Sequence, residues 1–155
     1  MYELKGTELR KFDQVNRMSI PPKFRGELGE TVVIMKSIHK EPCLMLFSEK
    51  AWDAFRKKAI EKYEGAMQAK AERKLAGRSD VLSVDKSGRI SIKDSFKAYA
   101  GLDDEVFAVG IADRVELWNP AKWDEWYGTD DNDDDDDDDF FARVGYSDHR
   151  GDGNE

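Results

Sequence analysis

The chain has 155 residues, 39% hydrophobic and 37% charged, which allows one modest core and a tail. Its net charge of −8 is segregated: residues 1–129 hold 23 Lys+Arg against 21 Asp+Glu, and residues 130–155 hold two Arg against twelve acids. A single cysteine, Cys43, excludes an internal disulfide and any multi-cysteine zinc site, and no run is long and apolar enough to span a membrane.

Met1 to Arg10 lacks the apolar stretch of a secretory leader, so a soluble, cytoplasmic protein is the expectation. A tight turn is predicted at Asp13 to Asn16. It is followed by Arg17-Met18-Ser19-Ile20, in which Met18 and Ile20 face a core and Arg17 and Ser19 face away. Pro21-Pro22 opens a short helix that Gly29 ends. Apolar strands are expected at Val32 to Met35 and Cys43 to Phe47. Residues 49–76 read as helical, with Trp52, Phe55, Ala59, Ile60 and Tyr63 at helical spacing, a break at Gly65 and a cap at Gly77.

The same logic then recurs. Val81 to Val84 alternates, with Leu82 and Val84 on one face, and a turn follows at Asp85 to Gly88. Arg89 and Ser91 point out while Ile90 and Ile92 point in. A short helix capped by Asp94 or Ser95 ends at Gly101. Strands follow at Val106 to Val109 and Val115 to Trp118, then a helix carrying Trp123 and Trp126. The tail, with seven consecutive aspartates at Asp133 to Asp139, repels itself and is expected to be disordered.

The recurrence is a duplication. DQVNRMSIPPKF (13–24) lies on DKSGRISIKDSF (85–96) at a constant offset of 72, with five identities in twelve. Arg25 falls on Lys97 and Gly29 on Gly101. Downstream the offset slips by one, and LMLFSEKAWDAF (44–55) lies on VELWNPAKWDEW (115–126), matching Trp52 to Trp123 and Asp53 to Asp124. The organisation is therefore a first half at 1–60, a helical linker at 61–80, a second half at 81–128 and the acidic tail at 129–155.

The D-x-x-[GN]-R element carries the chemistry. Asp13 and Asp85 at the first position, and Asn16 and Gly88 at the fourth, are turn-structuring residues, since Asn and Gly best tolerate a left-handed backbone. Arg17 and Arg89 follow each rigid turn on the polar face of a strand. A planar, permanently charged fork held at fixed height suits phosphate contacts or bidentate reading of guanine. The plainer alternative is an Arg–Asp pair inside each turn. Arg10, Lys11, Lys23 and Arg25 flank the first turn and Lys86, Lys93 and Lys97 the second, either as a solvated charged face or as a diffuse phosphate-binding surface. Among these, Arg17, Arg89, Arg10, Lys11 and Lys86 are the candidate DNA contacts. Trp52, Trp118, Trp123 and Trp126 recur in the apolar phase and read as packing, as does Cys43. His39 and His149 have no ligand spacing, and no nucleophile–base pair, phosphate loop or spaced acid pair is present. The reading is a non-enzyme with no cofactor, no metal and no small-molecule substrate.

The repeated D-x-x-x-R-x-S-I signature, YAGL at 99–102, LAGR at 75–78 and the two-half layout resemble MraZ proteins of the SpoVT-AbrB superfamily, over about residues 3–127. The resemblance implies an α+β, β-rich fold in which duplicated AbrB-like halves form a double swapped-hairpin β-barrel with peripheral helices. It implies ring-like homo-oligomers that bind short tandem repeats in promoter DNA, typically that of the division and cell-wall gene cluster, and a nucleoid location. Arg17 and Arg89 take the family's motif arginine, Asp13 and Asp85 its aspartate. Val15-Asn16 stands where Lys-Gly is usual, and Lys93 where proline is usual. Two rival readings are an antitoxin-like AbrB regulator and an interaction scaffold that has lost DNA binding. The tail is expected either to compete with DNA for the basic loops or to act as a solubilising end.

Overall fold

The computed structural model describes residues 3–38 and 40–128, together with Phe140 and Arg143. The expectations for His39, His149 and the polyaspartate stretch lie outside the described residues. Two compact units divide the chain, at 1–123 and 124–155, and every strand among the described residues belongs to the first.

The fold is α+β. In the first half come β1 (Leu4–Lys11), β2 (Arg17–Ser19), α1 (Pro22–Leu28), β3 (Thr31–Lys36), β4 (Leu44–Ser48) and α2 (Glu49–Ile60). Helix α3 (Ala66–Ala76) follows, and then the same series again: β5 (Ser79–Ser83), β6 (Arg89–Ser91), α4 (Asp94–Ala100), β7 (Glu105–Ala112), β8 (Arg114–Trp118) and α5 (Pro120–Tyr127). Six strands form one antiparallel row in the order β1-β7-β8-β4-β3-β5, and β2 and β6 form a separate two-stranded ribbon. The row ends at β1 and β5.

The order is a palindrome under the repeat. Exchanging β1 with β5, β3 with β7 and β4 with β8 reproduces the row read backwards. The leading strand of each half therefore pairs with the third strand of the other, Leu4 to Lys11 along β7 and Ser79 to Ser83 along β3. Neither half keeps its own leading strand.

Strands β3 and β4 are apolar at nearly every position because both their faces are covered. Val32, Ile34, Leu44 and Leu46 join a core with Met18, Ile20, Ile90, Ile92, Phe24 and Phe96, so both ribbon strands and both short helices share one interior. Met35, Met45 and Phe47 point the other way, into a second cluster with Leu75, Val109 and Trp118. The amphipathic stripe of α2 covers that cluster with Trp52, Phe55, Ala59 and Ile60.

Sequence-visible signals start and stop the helices. Pro22 occupies the first turn of α1, and the Ser48 hydroxyl caps α2 by accepting from the Ala51 N–H at 3.1 Å. Asn119 does the same for α5, accepting from Ala121 and Lys122. Gly65 and Gly77 bound α3.

Three expectations need correction, and one strand was not predicted. Helix α4 is capped by Lys93 without a side-chain hydrogen bond, not by Asp94 or Ser95; the Asp94 carboxylate is instead held by the Asn16 amide at 2.7 Å. Trp126 is 44% exposed, because the eight-residue helix that carries it contains no buried residue. Tyr63 is exposed too, since α2 ends at Ile60 and the apolar stripe stops with it. Strand β1 has no counterpart among the predicted elements: its only buried residue is Leu4, so an edge strand of this kind shows no alternation to read.

Candidate nucleic-acid interface

The ribbon sets the geometry. Arg17 pairs with Ser91, Met18 with Ile90 and Ser19 with Arg89. Side chains alternate along each strand, so the buried Met18–Ile90 pair commits one face to the core. Arg17, Ser19, Arg89 and Ser91 share the other. The two arginines are diagonal neighbours, roughly 7–8 Å apart at the backbone, and their side chains are 37% and 35% exposed.

Each arginine is braced by its own turn, and the two turns are built alike. The Asp13 N–H donates to the Arg17 carbonyl at 2.9 Å, as Asp85 does to Arg89. Asp13 Oδ1 accepts from the backbone N–H groups of Val15 and Arg17, each at 2.9 Å, while Oδ2 accepts from Arg17 Nε at 2.8 Å. Asp85 repeats the set on Ser87 and Arg89, with Oδ2 to Arg89 Nε at 3.0 Å. These bonds favour the ionised carboxylates. The backbone N–H of Arg17 above all holds Asp13 below its ordinary value, and that of Arg89 does so for Asp85. Asn16 and Gly88 take the left-handed backbone, at φ 63° and 80°.

The bracing uses only Nε. Among the described residues no hydrogen bond engages the terminal nitrogens of Arg17 or Arg89. The aspartate therefore fixes the plane of each guanidinium and leaves its outer edge to solvent. The Arg–Asp pair and an unengaged guanidinium edge thus coexist in one arrangement.

The halves also lock onto each other here. Ile20 N–H donates to the Gly88 carbonyl at 2.8 Å, and Ile92 N–H to the Asn16 carbonyl at 2.9 Å. Arg25 and Lys97, related by the repeat, each reach the opposite turn. The Arg25 guanidinium lies over Gly88, where an added Cβ would collide with its Cζ. Lys97 donates to Asn16 Oδ1 at 3.0 Å and sits 4.1 Å from the centre of the Phe12 ring. The sequence signal for these contacts is the basic residue recurring at offset 72, which carries no hint of the crossing.

The remaining candidates separate. Lys86 is exposed and makes no ion pair among the described residues. Lys11 is exposed, at the rim of a hollow it shares with Asp103, Asp104 and Glu105. Arg10 is held by the Leu9 carbonyl at 2.9 Å and by Glu8 at 3.5 Å. Two flanking lysines are paired, Lys23 with Glu8 at 3.4 Å and Lys93 with Asp80 at 2.8 Å. Among the described residues no group of His, Cys, Asp and Glu is placed to hold a metal, and no helix is long and apolar enough to cross a membrane.

Comparison with known proteins matches this chain to a family. A family model described as "MraZ protein, putative antitoxin-like" matches twice, over residues 4–78 and 75–143. A protein of Nocardioides sp. named Transcriptional regulator MraZ is 34% identical over 125 residues, covering 78% of this chain and 83% of the relative. Proteins of the same name from Acetivibrio thermocellus and Kocuria rhizophila are 33% and 34% identical over 121 and 123 residues, covering 77% and 78% of this chain and 82% and 84% of theirs.

Proposed function

The chain belongs to the MraZ family, and from that premise we propose that it regulates transcription by gripping double-stranded DNA with its β2–β6 ribbon and the two turns beside it. Its relatives are named transcriptional regulators, and the chain is not an enzyme. One observation carries the proposal: two arginines on the same face of one ribbon, each fixed through Nε and open at its outer edge.

A two-stranded ribbon fits the B-DNA major groove, about 12 Å wide. Arg17 and Arg89 would meet phosphates or the O6 and N7 acceptors of guanine. Lys86 and Lys11 would add phosphate attraction, and Arg10 would contribute least because Glu8 already holds it. Asp13, Asn16, Asp85 and Gly88 act through the arginines, as positioning residues.

The resemblance extends the proposal. The exchange of leading strands supports two AbrB-like halves, at 1–60 and 81–128, forming a double swapped-hairpin barrel. The linker between them, at 61–80, carries α3 and gives its last two residues, Ser79 and Asp80, to β5, and beyond them lies the acidic tail at 129–155. A nearly neutral body binds a duplex weakly on its own. A ring-like homo-oligomer reaching several short tandem repeats at once would supply strength through effective concentration. The promoter of the division and cell-wall cluster is the proposed target, and the cytoplasmic nucleoid the proposed location.

The test is a gel shift on a duplex from upstream of the protein's own gene, with footprinting of the shifted complex. A shift that weakens as salt rises, protection over spaced repeats, and loss of both in Arg17→Ala/Arg89→Ala is the expected result. Binding by the double variant equal to that of the parent chain would overturn it in favour of a scaffold without DNA contacts.

A further inference from the structure

We propose that the two turns are unequal grips on DNA: the turn at 85–89 supplies most of the phosphate attraction, and Asp94 weakens the turn at 13–17. The inference deepens the DNA-binding reading and rests on it.

The frames of the two turns are alike, so the difference lies in what surrounds them. At the first turn Asn16 carries a side chain, and its amide binds both Asp94 Oδ1 at 2.7 Å and Lys97 Nζ at 3.0 Å. The charged groups there are Asp13, Arg17, Asp94 and Lys97, two acids against two cations. At the second turn Gly88 has no side chain, and the guanidinium of Arg25 occupies the space. Arg25 donates through Nε to the Ile20 carbonyl at 2.7 Å, and among the described residues no partner engages its terminal nitrogens. The charged groups there are Asp85, Lys86, Arg89 and Arg25, one acid against three cations.

The repeat makes the contrast residue by residue. Pro22 stands where the second half has Asp94, so no carboxylate approaches Gly88 from that helix. Gln14 stands where the second half has Lys86, and the exposed Val15 where it has Ser87, so the tip of the first turn offers neither charge nor hydroxyl. The cations preceding the first turn do not restore the balance: Glu8 holds Arg10, and Lys11 shares its hollow with three acids. An exposed carboxylate held by the residue preceding a phosphate-binding arginine, as Asp94 is by Asn16, repels the incoming backbone and offsets part of the turn's attraction. The second turn faces no such penalty.

The experiment measures affinity and its salt dependence by fluorescence anisotropy, using the upstream duplex and the full chain. Variants are Arg17→Ala, Arg89→Ala, Lys86→Gln and Asp94→Asn, with thermal melts showing that each is folded. Asp94→Asn keeps an oxygen acceptor for the Asn16 amide while removing the charge. The expected result is a loss for Arg89→Ala at least about threefold larger than for Arg17→Ala, and a smaller loss for Lys86→Gln. Asp94→Asn should strengthen binding by about two- to fivefold and steepen the salt dependence. Equal losses for the two arginines with a silent Asp94→Asn would overturn the inequality and leave the DNA reading standing. A parent chain that binds no duplex in a salt-dependent way would overturn both.

Discussion

Arg78 and Tyr99, 21 residues apart in the chain, meet at a single backbone carbonyl. Arg78 Nη2 and the Tyr99 hydroxyl both donate to the carbonyl of Ser37, at 2.5 and 2.7 Å, and lie 3.2 Å from each other. The guanidinium carbon is also 5.6 Å from the centre of the Tyr99 ring. The contact ties the segment leaving α3 to helix α4 across the loop between β3 and β4. Tyr99→Phe removes the hydroxyl but leaves Arg78 on the carbonyl, so a loss of about 1–1.5 kcal/mol is expected. Arg78→Ala removes a charged donor and its stacking, and should cost more, on the order of 2–3 kcal/mol. Urea unfolding of both variants decides it; a Tyr99→Phe chain as stable as the parent would show that the hydroxyl contributes nothing.

Gly88 is required twice over. Its φ of 80° disfavours any residue with a Cβ, and the added atom would strike the guanidinium of Arg25. Gly88→Ala combines a left-handed penalty of about 1–2 kcal/mol with displacement of Arg25, and a total of about 2 kcal/mol or more is expected in denaturant unfolding. Asn16→Gly is the counterpart. It relieves the same backbone but gives up the bonds to Asp94 and Lys97, so the two effects oppose and the net change should stay within about 1 kcal/mol. A tolerated Gly88→Ala would show that Arg25 does not lie across that turn.

The contrast between those two substitutions marks the limit of what sequence conveys. The turns were legible, because Asp at the first position and Asn or Gly at the fourth answer to local backbone chemistry. Strands β3, β4, β7 and β8 were legible as apolar runs, and α2 by its stripe. Strand β1 was not, because seven of its eight residues escape burial and an edge strand needs no pattern. Nor was the exchange between halves. Asn16 and Asp94 are 78 residues apart, and periodicity along a strand says which face is buried but not which strand lies beside it. Arg10 shows the converse: it clusters with other cations in sequence, yet Glu8 sits two residues away on the same face of β1 and engages it.

Cys43 provides a probe of the second core cluster. It is 2% exposed and packs with Met45, Phe47 and Trp118. Burial, more than any neighbouring charge, pushes its thiol well above the ordinary range, so the reactive thiolate is scarce. An aromatic disulfide reagent at pH 8 is expected to leave the native chain unmodified and to titrate one thiol per chain in denaturant. Rapid stoichiometric reaction of the native protein would mean that the cluster opens readily.

Acid should loosen the two turns. Asp13 and Asp85 ionise more readily in the folded chain than at their free value of 3.8, held chiefly by the backbone N–H groups of Arg17 and Arg89. Folding thus favours the carboxylates. Their contribution is complete above the free value and disappears as pH falls through the lower, folded values. Both groups are exposed, and many other carboxyls titrate in the same range. The informative quantity is therefore the difference in Tm between the parent chain and Asp13→Asn/Asp85→Asn. Above about pH 5 the parent should be the more stable, and the gap should narrow below about pH 4, where the protonated aspartates come to resemble asparagine. A gap that stays constant from pH 7 to pH 2 would mean that the charge on these carboxylates does not brace the arginines, and that neutral hydrogen bonds alone hold the turns.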